Sequence, residues 1–404
     1  MKRRVFLALA LAVFAAALLA APVLAAKYDT GATDKEIKIG HIGPYSGPAS
    51  AYGTIGRAIG AYFTKINEEG GINGRKINFI TYDDGYSPPK TMEQARRLVE
   101  QDNVLLLFQT LGTPPNTAIH KYMNQKQIPQ LFVASGATKW GDPKHFPWTM
   151  GWQPSYQTEA VIYAKYILKN YPNGKIGVLY QNDDYGKDYL KGLEDGLGAK
   201  ASSMIVSKLS YEVTDPTVDS QVVALKNSGA NVFFDVSGPK FAAQAIRKAA
   251  EIGWKPAHIL NGVSISIKAV LEPAGLENSK GIVSSTYGKD ADDPEWANDP
   301  GILEWKRFMA KYYPDGSIHD ASNVYGYAVA MTMVHVLKNC GDDLTRANVM
   351  KQAANIKGLV LPTALPGMPP MTTSPTNFYP IRAMQMQKFN GKTWERFGDI
   401  ITSD

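Results

Sequence analysis

The sequence predicts an α/β fold on parallel sheets, and three observations carry that prediction. Apolar residues recur at three- and four-residue steps in a series of helix-length segments. Short apolar or alternating runs lie between those segments. The two kinds take turns from residue 37 to residue 261, and strand–helix alternation at this spacing is the signature of strands joined by crossover helices.

The first strand covers residues 37–42 and opens into a loop at 43–50. A helix follows at 51–68, with Ile55, Ile59, Tyr62, Phe63 and Ile66 on one stripe, and Gly70-Gly71 ends it. A strand at 75–82 leads through a turn rich in Asp and Pro to a helix at 90–102. Residues 104–108 form a continuous apolar run, which fits a strand covered on both faces. Helix 116–126 then precedes strand 130–133, and helix 156–170 precedes strand 175–180. Helix 186–197 leads to strand 201–211, helix 218–227 to strand 231–236, and helix 241–252 to strand 258–261. Near the C-terminus, runs at 384–389 and 394–397 flank Gly391-Lys392-Thr393 as a hairpin.

So many strands fit two smaller sheets better than one wide layer. The chain has 404 residues and 44% hydrophobic content, ample for two cores. Residues 139–154, 284–294 and 357–376 lack periodicity and are the expected crossings between two doubly wound lobes. On that division residues 27–148 with 285–356 form one lobe, and 149–284 with 357–404 the other.

Lys2, Arg3 and Arg4, an apolar run at 5–19 and the small residues 20–26 have the layout of an export signal, cleaved after Ala25. Arg3-Arg4 suits the twin-arginine route; the strongly apolar run favours the general one. The expected location is the periplasm. The net charge of +6 falls to +3 once residues 1–25, with three basic and no acidic side chains, are removed. No basic block is interleaved with aromatics, so nucleic acid is not an expected partner. Cys340 is the one cysteine; it cannot close an internal disulfide and reads as a buried helix residue.

In open α/β sheets ligands sit beyond the carboxyl ends of the strands. Loops there are small, hydroxylated and neutral: Gly43-Pro44-Tyr45-Ser46-Gly47-Pro48 with Tyr52, Gln109-Thr110-Leu111-Gly112, and Ala134-Ser135-Gly136-Ala137-Thr138. Backbone N–H groups at helix starts hold an anion without a counter-charge. No HExxH, CxxC or GxSxG occurs, and the six histidines are dispersed, so neither metal chemistry nor a catalytic nucleophile is expected. Asp83-Asp84 and Asp183-Asp184 read as turn carboxylates, and His41 as a core or interlobe residue. The contrasting class is an exported α/β hydrolase, which turnover of a bound compound would reveal.

GPYSGPASAYG, DDGYSPPK, ASGAT, NDDYGKDY and SPTNFYPIRAMQMQKFNGKTW, in this order over residues 37–397, resemble the leucine/isoleucine/valine-binding family of periplasmic proteins. The resemblance implies a type I periplasmic-binding fold with three hinge crossings, an ABC-transporter permease as partner, no cofactor, no catalysis and a monomer. It implies that Tyr52 flanks the site, that Thr110 helps hold a ligand carboxylate with Leu111 beside it in the site, and that Ser135, Gly136, Ala137 and Thr138 supply hydroxyl and backbone groups. Tyr185 is the second-lobe aromatic of the family pattern. The departure is Asn261, where amino-acid binders of this family carry a Glu just before the Gly. A buried ammonium without a counter-carboxylate costs several kcal/mol, while a neutral amide returns about 0.5–1.5 kcal/mol. With Trp152, Phe234 and Tyr287 as further aromatic walls, the expected ligand is a small organic carboxylate, an aromatic acid; a branched-chain or other amino acid is the alternative.

Overall fold

The computed structural model describes residues 27–402. The export segment read at residues 1–25 lies outside the described residues. Two large sheets organise the chain. The first has five strands: β2 (Glu36–Gly43), β3 (Lys76–Asp83), β4 (Leu106–Phe108), β5 (Gln130–Val133) and β6 (Thr149–Gly151), in the order β3-β2-β4-β5-β6 and all parallel. The second has seven: β7 (Ile176–Gln181), β8 (Ile205–Tyr211), β9 (Val232–Val236), β10 (Ala257–Leu260), β11 (Val283–Thr286), β13 (Ala383–Phe389) and β14 (Trp394–Thr402). Its parallel part runs β8-β7-β9-β10-β11, and the β13–β14 hairpin extends it antiparallel. A two-residue ladder joins β1 (Lys27–Tyr28) to β12 (Asp343–Leu344).

Both parallel sheets therefore wind in the same sense, with the second strand outside the first. The order reverses beside the first strand of each, between β2 and β4 and between β7 and β9. Loops diverge at such a switch point and leave a crevice beyond the strand ends.

The helices are α1 (Gly53–Glu68), α2 (Pro88–Glu100), α3 (Thr113–Lys126), α4 (Tyr156–Asn170), α5 (Asp184–Leu197), α6 (Asp219–Asn227), α7 (Pro239–Glu251), α8 (Pro300–Tyr312), α9 (Ala321–Cys340) and α10 (Arg346–Ala353), with shorter turns between. The predicted stripe of α1 buries Ile55, Ile59, Tyr62, Phe63 and Ile66 against one core, shared with α8 and α9. Each such side chain contributes about 1.5–3 kcal/mol, and this burial takes the place of disulfides. Cys340 closes α9; burial raises its thiol to about 12, and its S–H donates to the Val336 carbonyl at 3.3 Å. The thiol is inert packing.

Residues 201–211, expected as one strand, split into a short helix at Ala201–Met204 and β8. Residues 149–151 pair with β5 in the first sheet, and Leu361, Leu365, Met371 and Phe378 join the first core. The division drawn from sequence at 149 and 357 therefore moves to about 152 and 382. The chain crosses between lobes after β6, after β11 and before β13. The last two crossings are stitched together: Lys289 N–H donates to the Thr363 carbonyl at 2.8 Å, and Gly288 bridges Ala364.

Candidate functional site

A cleft of about 460 Å³ opens between the two switch points. On the first lobe it is walled by the loop after β2, with Pro48, Ala49 and Tyr52, and by the start of α3, with Leu111, Gly112 and Thr113. On the second lobe Tyr185 opens α5 and Gly238 precedes α7. The lobes touch around it. Tyr52 O–H donates to the Val263 carbonyl at 3.1 Å, and Ser266 O–H donates to Asp320 at 3.0 Å. Lys139 pairs with Asp184 at 2.6 Å.

Of the residues singled out from sequence, Tyr52, Leu111, Trp152, Tyr185 and Tyr287 line this cleft. Thr110, Ser135, Gly136, Ala137, Thr138, Phe234 and Asn261 do not; most are engaged within the protein, while the Thr110 and Thr138 hydroxyls are buried without a partner. Ser135 Oγ shares a hydrogen bond with Thr113 Oγ1 at 2.7 Å and accepts from Ala137 N–H and Trp140 Nε1. Gly136 is pressed against Tyr156 and the Pro154 carbonyl. Thr138 N–H donates to the Asp188 carboxylate at 2.6 Å, and its carbonyl accepts from the Tyr379 hydroxyl. An internal carboxylate thus occupies the backbone donor expected to hold a ligand's acid. Thr110 is buried, its hydroxyl has no partner, and its carbonyl accepts from Asn116. Phe234 lies in the second-lobe core. Asn261 donates to the Asp235 and Ser237 carbonyls and accepts from Tyr185 O–H at 3.1 Å, so it positions Tyr185 from behind.

Sequence reasoning missed Tyr86, Tyr156 and Tyr325, which also line the cleft. Tyr86 lies in the DDGYSPPK turn, and its φ of 63° swings the ring over the start of α3. Gly112, at φ 99°, is needed there: a Cβ would sit 2.3 Å from the Tyr86 ring. The third crossing was read only as a linker, yet residues 359–371 form one wall.

The electrostatics are neutral where the tyrosines gather. Burial raises the phenols of Tyr52, Tyr86, Tyr156, Tyr185, Tyr287 and Tyr325, so at neutral pH they remain hydrogen-bond donors. The nearby carboxylates are committed. Burial raises Glu159, while Tyr163 O–H and Gly262 N–H donate to it at 2.7 and 2.6 Å. Asp183 caps α5, accepting from the N–H groups of Tyr185 and Gly186. Asp235 accepts from Ser237 and meets His258 Nε2 at 3.1 Å. Asp83 and Asp84 are turn carboxylates, bonded to backbone at Tyr45, Ser46, Gly85 and Tyr86. His41 is a core residue facing the Phe108 carbonyl at 3.0 Å, and burial lowers it to about 4. The lining residues Lys289, Asp290 and His319 stand together at the hinge end. There Lys289 pairs with Asp299 at 2.7 Å and donates to the Pro362 carbonyl at 2.8 Å.

Two lobes of one winding, three crossings and an aromatic cleft at paired switch points define a bilobal solute binder. The chain belongs to the periplasmic binding protein family, whose profile it matches over residues 36–393, in the leucine/isoleucine/valine-binding group. Among curated relatives, the Leu/Ile/Val-binding protein homolog 7 of Brucella suis is 24% identical over 343 residues, covering 80% of this chain and 82% of that one. A branched-chain amino acid ABC transporter protein of Thermus thermophilus with bound valine superposes with a TM-score of 0.81 at 17% identity, covering 91% of this chain and 97% of that one. A solute-binding protein of an R. palustris ABC transporter in complex with 4-hydroxybenzoate does so with a TM-score of 0.74 at 15% identity, covering 91% and 97%. The protein is thus a periplasmic substrate-binding component of the branched-chain amino-acid type of ABC transporter, a family of solute binders rather than enzymes. Among the described residues no helix is long and apolar enough to cross a membrane.

Proposed function

We propose that the cleft takes a lipophilic carboxylate, an aromatic acid of the benzoate or cinnamate kind, and hands it without chemical change to the permease of an ABC importer. The protein acts as an exported monomer. The observation that carries this reading is the pairing of tyrosine and Trp152 walls with carboxylates that already have protein partners. An amino acid's ammonium would need an acidic group; Glu159, beneath Gly262, already accepts two hydrogen bonds at Oε1, and the lining carboxylate Asp290 stands beside Lys289 at the hinge end. The acid group goes to the start of α3. This helix has no side-chain cap; Pro114 and Pro115 bring no N–H, and Asn116 N–H is spent on Gly112, which leaves that of Thr113. A helix N-terminus favours negative charge by about 0.3–1 kcal/mol when exposed and up to ~2 kcal/mol when partly buried. The Tyr52 and Tyr185 hydroxyls are spent on Val263 and Asn261, and their rings enclose the body of the ligand. Related folds hold valine in one case and 4-hydroxybenzoate in another, so the family admits both chemistries.

A thermal-shift screen of 4-hydroxybenzoate and cinnamate against leucine and valine tests the assignment. A ligand selective for the closed form adds about 4.1 kcal/mol of stability at a thousandfold excess over Kd. The expected result is stabilisation by the acids alone. Stabilisation by leucine or valine and not by the acids would overturn it.

A further inference from the structure

We propose that the strap at 359–371 gauges ligand length, so that the preferred acid carries its ring several bonds from the carboxylate or bears a substituent that reaches the hinge. This rests on the reading of the cleft as a carboxylate site and adds to it. Two measures of the cleft support it. A cleft of about 460 Å³ lies within the roughly 300–1,000 Å³ of sites that take drug-sized ligands, which are larger than benzoate or leucine. The lining also runs from the Tyr86 ring, over the start of α3, to residues 359–371 of the strap.

Its two ends differ in chemistry. The acid end has Thr113 and the phenols. The hinge end is lined by Leu361, Ala364, Leu365 and Met371 of the strap, with Lys289, Asp290 and His319 beside them. Leu361, Leu365 and Met371 are buried in the first core. The strap is tied to the second crossing through Thr363 and Ala364. A tail that fills this end therefore packs on hinge segments, and its burial favours the closed form.

Each buried methylene is worth a factor of about four in affinity. Calorimetric titration with benzoate, 3-phenylpropanoate and 5-phenylpentanoate should show Kd falling along the series, at least tenfold from first to last. Ala364→Phe, at a half-buried strap position, should collapse the ratio of the first and last Kd values to about one. If that variant does not fold, judged by its thermal transition, Met368→Trp on the same strap serves in its place. A native ratio near one, or a steep ratio kept in the strap variant, would overturn the length gauge while benzoate binding keeps the carboxylate reading alive. Binding of none of the three acids would overturn both.

Discussion

At the first lobe's switch point, α3 begins at Gly112 with no side chain accepting from its first turn. At the second, Asp183 accepts from Tyr185 and Gly186 and so satisfies the start of α5. The neighbouring α7 begins at Gly238, whose N–H goes to Tyr211 O–H, followed by Pro239, which has none. One strand order has thus produced two faces with different starts. The first lobe keeps the Thr113 N–H for a ligand's acid. The second satisfies the start of α5 through Asp183, leaves α7 without a side-chain cap, and contributes ring surface. An anion should bind the first lobe and the second should close over it.

The sharpest way to break this asymmetry is to give α3 a carboxylate of its own. Thr113→Asp should cut the affinity for 3-phenylpropanoate by about 1,000-fold, since like charges ~4 Å apart cost about 4 kcal/mol at an effective dielectric of 20; titration calorimetry reads the loss. The mirror experiment removes the cap of the other lobe. Asp183→Ala should lower unfolding stability by about 1 kcal/mol in denaturant melts, with less than a threefold change in acid affinity. A large loss of affinity there would mean that the second lobe holds the acid.

The hinge end supplies a test through pH. Burial raises the Asp290 carboxyl to about 6, against an ordinary 3.8. A carboxyl raised on folding contributes its stability fully below the ordinary value and loses it as pH rises through the folded one. Asp290→Asn should therefore gain stability relative to the native protein between pH 4 and pH 7, read as a widening difference in Tm. An unchanging difference would remove Asp290 as its source. The smallest effect belongs to Thr138→Val. Its backbone N–H is held by Asp188 and its hydroxyl stands away from the cleft lining, so acid affinity should change by less than about twofold.

Much of the fold was legible because it rests on periodicity. The α1 stripe, the buried run at β4 and the C-terminal hairpin follow from apolar spacing or turn residues, and each folds as read. Residues 149–151 were not legible: a three-residue strand has too few positions to show alternation, and only pairing with β5 defines it. The aromatics of the site divide in the same way. Tyr52 and Tyr185 are named through the family resemblance of GPYSGPASAYG and NDDYGKDY, and both line the cleft. Tyr86 reaches the cleft through a left-handed backbone that no spacing announces. The 135–138 loop suits an anion by composition, and sequence gives no sign that Asp188, 50 residues on, accepts from its Thr138 N–H.

A crystal structure with 4-bromocinnamate, located by the anomalous signal of bromine, tests the central assignment most directly. The account predicts the carboxylate within hydrogen-bonding distance of Thr113 N–H, the ring between Tyr52 and Tyr185, and the bromine pointing to the strap. A bromine peak beside α3 with the acid at Lys289, or a ligand outside the cleft, would contradict it.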